Sequence, residues 1–128
     1  MASVDIEVEG VRYPSVEHAF HAGKAILTGD AATAAKFATG EAFGRLSPFE
    51  ARRQGRRAID MTAAHLAEWD AHAADARMRL AIEARLRCDR AFKEALLATG
   101  NAILVHCVRS FVDVRLSRIL TELRHALH

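Results

Sequence analysis

Cysteine is scarce in this 128-residue chain: only Cys88 and Cys107 occur, far apart and in no C-x-x-C pair. Such usage gives neither a disulfide framework nor a thiol-ligated metal site, and a chain of this length can bury a core without such staples. The opening Met1-Ala2-Ser3-Val4-Asp5 lacks the basic and apolar blocks of a signal peptide. A reducing, cytoplasmic setting is the expectation. No uncharged apolar run approaches the roughly 18 residues of a membrane span, so no membrane partner is expected. The net charge of +2 is too small to imply general nucleic-acid affinity. No internal repeat or low-complexity linker interrupts the chain. With 51% of its positions apolar, it reads as one domain over 1–128.

What is present has mostly helical punctuation. Val4 to Val8 alternates apolar with acidic residues, Glu9-Gly10 makes a turn, and Val11 to Tyr13 returns as a partner strand. A first helix opens after Pro14-Ser15 and stops at Gly29. Asp30 caps a second through Ala38, ended by Gly40. Residues 40–46 read as loop. Ser47-Pro48-Phe49-Glu50 joins a capping box to a proline at the first helical position, which predicts a third helix to about Ala58. Asp60 or Thr62 begins one long helix to about Arg87, either continuous or broken near Trp69, with Leu66, Trp69, Ala73, Ala76, Leu80 and Ala84 at helical spacing. Asp89 caps a short helix closed by Thr99-Gly100, a buried strand spans 102–106, and Asp113 starts a final amphipathic helix. The fold class is α+β, predominantly helical, a small β-hairpin or sheet packed on roughly five to six helices.

The first helix concentrates the chemistry. Ser15 is placed to accept a bond from a free backbone N–H, and Glu17 falls in the first turn, where the helix dipole favours its ionised form. At roughly 100° per residue, Glu17, His21, Lys24 and Thr28 share one stripe, beside an apolar stripe of Val16, Phe20, Gly23 and Leu27. Glu, His and Lys at this spacing also describe an ordinary solvated helix face.

The literal string Tyr13-Pro14-Ser15-Val16-Glu17-His18-Ala19-Phe20-His21-Ala22-Gly23-Lys24-Ala25 resembles the Y-P-S-x-E-H-x-F-x-A-x-K-A signature of the NADAR (YbiA-like) family. Further segments follow in the family's order. Ser47-Pro48-Phe49-Glu50-Ala51-Arg52-Arg53-Gln54-Gly55-Arg56 is similar to T-P-x-E-A-K-x-x-G-R, and Trp69 with Arg77-Met78-Arg79-Leu80-Ala81 to W-x(n)-M-x-x-A. Residues 92–105 are similar to L-x-x-x-L-L-A-T-G-x-A-x-L-V, and Ile119-Leu120-Thr121-Glu122-Leu123-Arg124 to the terminal L-M-E-L-R helix. Two departures stand out. The family's upstream F-S-N-F segment has no counterpart before Val8-Glu9-Gly10, and no D-x-x-W-G loop follows Val105; Asp113, the one acid there, is better placed as a helix cap.

The resemblance implies an N-glycosidase; His106-Cys107 has no partner at metal-ligand spacing, so no metal is expected, nor any cofactor. It makes Glu17 the catalytic carboxylate beside an oxocarbenium-like sugar. Lys24 matches the family lysine, as a Schiff-base nucleophile or a fixed cation for phosphate or sugar oxygens. His18 follows the family's E-H and packs or orients Glu17. His21 stands where the family commonly has Gln; a neutral imidazole there can bond a ribose hydroxyl, and a surface histidine is the other reading. Gly55-Arg56 matches the family's G-R, which makes Arg56 the phosphate-binding candidate. Trp69 either stacks on a nucleobase or belongs to the core. Two substrate classes are implied, phosphoribosylated pyrimidine intermediates of riboflavin synthesis and ADP-ribose attached to guanine in nucleotides or nucleic acid. The missing segments leave an alternative, a catalytically inactive nucleotide or ADP-ribose binding module. They also suggest completion of the pocket by a second copy in a homodimer.

Overall fold

A computed structural model describes residues 5–98, 107–108, 111–112 and 114–127. The chain begins with strands β1 (Ile6–Val8) and β2 (Val11–Tyr13), an antiparallel hairpin that pairs Val8 with Val11 and Ile6 with Tyr13. Glu9 and Gly10 both have positive φ, 52° and 81°, the geometry a two-residue hairpin loop requires. Ile6, Val8 and Tyr13 turn one face of the hairpin into the core.

Helix α1 (Val16–Leu27) follows and is the hub of the fold, packing against a short α2 (Ala31–Ala35), α3 (Pro48–Ala58) and the long helix later in the chain. Caps fix where these helices start. Asp30 Oδ1 accepts from Thr33 N at 3.0 Å and Ser47 Oγ from Glu50 N at 3.2 Å, each satisfying an otherwise orphaned first-turn donor. Helix α2 is shorter than its composition predicts: from Lys36 the chain tightens into successive turns that close on Gly40, whose φ is 85°. This contraction folds Phe37, fully buried, under α1 and α3.

Helix α4 (Ala63–Glu68), a π-helical turn (Trp69–Ala73) and α5 (Ala74–Cys88) form the predicted long helix, with Thr62 as its cap. The interruption near Trp69 is an insertion in the hydrogen-bond ladder: Ala74 N–H reaches back to Trp69 O, five residues away. One extra residue per turn advances the inward face by one position. Of the positions at helical spacing, Trp69 and Ala84 are buried, but Ala76 is exposed and Leu80 is left 41% exposed, while Ala74, Arg77 and Ala81 are buried in their place.

Helix α6 (Arg90–Ala98) is capped by Asp89, which accepts from Phe92 N at 3.0 Å. A second hairpin, β3 (Cys107–Val108) with β4 (Phe111–Val112), had no counterpart in the sequence reading, and α7 (Val114–Ala126) lies against α5 and α6. The expected stop at Thr99-Gly100, the strand over 102–106 and the Asp113 cap lie outside the described residues. The described elements make a predominantly helical α+β fold with two small antiparallel hairpins. No described helix is long and apolar enough to cross a membrane.

Candidate functional site

Helix α1 supplies the site's backbone and its first turn is tightly built. Ser15, extended at φ −160°, accepts from His18 N at 3.2 Å, and its Oγ lies 2.7 Å from His18 Nδ1. The other ring nitrogen, Nε2, is 3.1 Å from Leu46 O and 3.2 Å from Phe43 O. Two carbonyls can only accept, so Nε2 carries the proton and Nδ1 accepts from the Ser15 hydroxyl. Burial lowers the pKa of this imidazole, and the two carbonyls work in the opposite direction. Both nitrogens of His18 are thereby committed to the chain. The residue ties the start of α1 to the turn before α3 and fixes the backbone that carries Glu17.

Glu17 sits in the first turn of α1 with 42% of its side chain exposed. One turn on, His21 is buried at 4% exposure, edge-on to Phe20 with ring centroids 5.6 Å apart and tilted against Phe37 at 6.3 Å. The spacing put His21 on the polar stripe; the structure folds α3 and Phe37 over that part of it. His21 Nε2 is buried without a hydrogen-bond partner, and Glu17 Oε2 lies 3.9 Å from it. Burial, then the charges of Lys24 and Arg52, then His18 and Arg56, push the imidazole down to about 3. It is therefore neutral at physiological pH, and no ribose can reach a nitrogen so enclosed in this conformation.

Lys24 is half-buried, its Nζ 5.6 Å from the Phe20 ring centroid and 5.9 Å from that of Trp69. Such aromatic faces attract the ammonium form. Trp69 itself is a core residue, tilted against Phe20 at 5.0 Å and packed with Met78, Ile82 and Ile119. It floors the helix below Lys24. From α3, Arg56 is exposed and Arg52 half-buried, one turn apart, and both act electrostatically on His21. The close approach that Gly55 allows is to the protein: a Cβ there would lie 3.1 Å from Phe37 Cζ. The site thus gathers Glu17, His21 and Lys24 from one helix and two guanidinium groups from its neighbour, with His18 and Trp69 as supports.

Arg77 is the residue that sequence reasoning does not find. It is 6% exposed, donates from Nε to Ala19 O at 2.8 Å, from Nη1 to Glu9 Oε1 at 2.7 Å and from Nη2 to Tyr13 Oη at 3.1 Å. One side chain so joins α5, α1 and the hairpin. Its signal lay only in the helical phase beyond the π turn. Elsewhere, a cavity of about 390 Å³ opens between α5 and α6, lined by Leu86, Arg87, Arg90, Lys93 and Leu97 among others; none of the candidate site residues lines it. Among the described residues no group of three or more His, Cys, Asp or Glu side chains is arranged to hold a metal ion.

These features define a small, mainly helical α+β protein whose first helix presents a carboxylate at its dipole-positive end, one turn from a buried histidine on which cations of two helices act. A family model described as the NADAR domain matches residues 1–111, and the chain belongs to that family, known for N-glycosidase-like activity. The match covers the hairpin, α1 to α6 and the span to β4, and ends before α7. No curated protein and no solved structure matches the chain.

Proposed function

We propose that the protein is an N-glycosidase that hydrolyses the bond between a ribosyl carbon and the nitrogen of a phosphoribosylated or ADP-ribosylated nucleobase. The observation that carries this reading is the placement of Glu17 in the first turn of α1, partly exposed and one turn from His21, on which Lys24 of α1 and Arg52 and Arg56 of α3 act electrostatically. Cleavage of this bond builds positive charge on the sugar before water adds to the same carbon and the base departs with a proton. A carboxylate at that carbon stabilises the charge and orients the water. Lys24 serves as a fixed cation over the Phe20 and Trp69 rings, and Arg56, with Arg52, binds the phosphate that such substrates carry. His18 holds the turn that carries Glu17, and Trp69 is the apolar floor.

The test is release of free base, followed by mass spectrometry, from ADP-ribosylated guanine and from a phosphoribosylamino-pyrimidine, beside a Glu17→Gln control. Release abolished in the control is the expected result, and the substrate that is cleaved identifies the class. The absence of a D-x-x-W-G segment after Val105 favours a second reading, a nucleotide or ADP-ribose binding module. Binding of ADP-ribose with no turnover of either substrate would establish it in place of the first.

A further inference from the structure

Among the described residues, His21 Nε2 is the buried side-chain nitrogen or oxygen left without a hydrogen-bond partner. Folded proteins rarely leave such an atom unsatisfied, so it needs an explanation. Glu17 Oε2 faces it at 3.9 Å, one turn earlier on the same helix. That gap is about one ångström longer than an N–H···O bond. Only one side can close it: His21 is wedged between Phe20 and Phe37, whereas Glu17 is 42% exposed and its torsions can turn.

The surroundings decide which way the pair works. The charged or titratable groups facing His21 are Glu17, His18 and Lys24 from α1 and Arg52 and Arg56 from α3, and burial with the cations keeps the ring neutral. A neutral imidazole carries one N–H. With the proton on Nδ1, Nε2 would set a lone pair against a carboxylate, and both groups would be acceptors. With the proton on Nε2, the ring donates and the orphan is satisfied.

The geometry points to His21 as a positioning residue for Glu17, donating from Nε2–H to Oε2 and so fixing the direction in which the second carboxylate oxygen is presented. The functional part rests on the reading of Glu17 as the carboxylate at the sugar; the pairing itself does not. A ring that takes a second proton only near about 3 is no general acid at neutral pH, so its work is orientation. The arrangement differs from a structural histidine such as His18, whose partners are the capping Ser15 hydroxyl and two backbone carbonyls.

Two measurements test this. Long-range ¹H–¹⁵N correlation NMR of the histidine rings is expected to show His21 as the Nε2–H tautomer in the wild type, with both ring nitrogens shifting in Glu17→Gln. An Nδ1–H tautomer, or ring resonances indifferent to Glu17→Gln, overturns the pairing whether or not the protein turns over any substrate. In the glycosidase assay, His21→Gln keeps an N–H donor and is expected to hold kcat within about threefold, whereas His21→Leu is expected to lower kcat by about tenfold or more with KM nearly unchanged. Equal losses in the two variants would overturn the positioning role. Should His21→Leu fail to fold, the tautomer and its response to Glu17 decide the matter. A wild type without turnover but with the expected tautomer would refute the glycosidase reading and leave the pairing standing.

Discussion

Gly23 and Arg77 share one volume: a Cβ on Gly23 would lie 2.5 Å from Arg77 Cγ and 2.8 Å from its Cδ. The arginine stem has little freedom to yield, because its guanidinium is held by Ala19 O, Glu9 and Tyr13. Gly23→Ala therefore sets two effects against each other. Alanine improves helix propensity by about 1 kcal/mol, while overpacking a core costs about 1–3 kcal/mol and here also displaces hydrogen bonds. The loss dominates, and urea titration is expected to show a net destabilisation of about 1–2 kcal/mol. In an Arg77→Ala background the same change becomes neutral or stabilising. A loss of equal size in both backgrounds would show that the two residues do not compete for space.

Arg77→Met separates what the guanidinium does from what its stem does. Methionine keeps most of the apolar volume but leaves Tyr13 Oη without the Arg77 donor and Ala19 O with only its bond inside α1, and an unsatisfied buried group costs about 1–3 kcal/mol. The loss is expected to be about 1–3 kcal/mol. Glu9 is 66% exposed at its side chain, so its ion pair with Arg77 is well screened and Glu9→Gln is expected to cost under about 1 kcal/mol. Comparable losses in the two variants would place the main role of Arg77 in the salt bridge, against this account.

Much of this architecture was legible because it is written in local chemistry. The hairpin at Glu9-Gly10, the caps at Ser15, Asp30, Ser47 and Asp89, and the stop at Gly29 each depend on neighbouring residues that a sequence displays. The motif string located α1 and set Glu17 in its first turn. What could not be read was phase and cover. A π turn at Trp69 moved the inward face of α5 by one residue, brought Arg77 into the core and turned Leu80 out. Likewise, helical spacing placed His21 on a polar stripe, and only the packing of α3 and Phe37 against α1 buried it. Periodicity specifies which residues share a face; it carries no information on which part of that face a distant segment will close.

The burial of His21 makes stability depend on pH in a definite direction. Its folded pKa is lowered to about 3, chiefly by desolvation, so the unfolded chain binds the extra proton first. Its contribution to stability is complete above roughly pH 6.5 and is lost as pH falls toward the folded value. Within that window the slope from one such group is about 1.4 kcal/mol per pH unit, and His18, also lowered by burial, adds in the same sense. His21→Gln removes the titration while keeping a polar side chain. Urea unfolding from about pH 6 to about pH 4 is expected to show the wild type losing stability more steeply than the variant. Parallel curves would mean that His21 is protonated in the folded protein at ordinary acidity, which would also remove the basis for its neutral pairing with Glu17.

Helix α7 lies beyond the family match, yet it completes the floor beneath the site. Ile119 has no exposed surface and packs in one cluster with Phe20, Trp69, Ala74, Met78 and Ile82. Two ion pairs of the same helix, Arg118 with Asp75 and Arg79 with Glu122, lie on the surface. If burial holds α7 in place, Ile119→Ala is expected to cost about 2–5 kcal/mol, the range for emptying a core position. Arg118→Ala is then expected to leave the unfolding midpoint close to wild type, since exposed ion pairs are weak and screened by salt. The site gives an independent readout, because Trp69 is the chain's one tryptophan and it touches both Phe20 and Lys24. A space left by Ile119 lets water approach the indole, so its emission is expected to shift to the red in the folded variant. It also loosens the support of Phe20 and hence of the helix face that carries Glu17 and Lys24, so turnover should fall in Ile119→Ala while Arg118→Ala stays near wild type. An unchanged emission spectrum in Ile119→Ala, or a larger loss from Arg118→Ala, would mean that α7 is held by its surface charges and has no part in supporting the site.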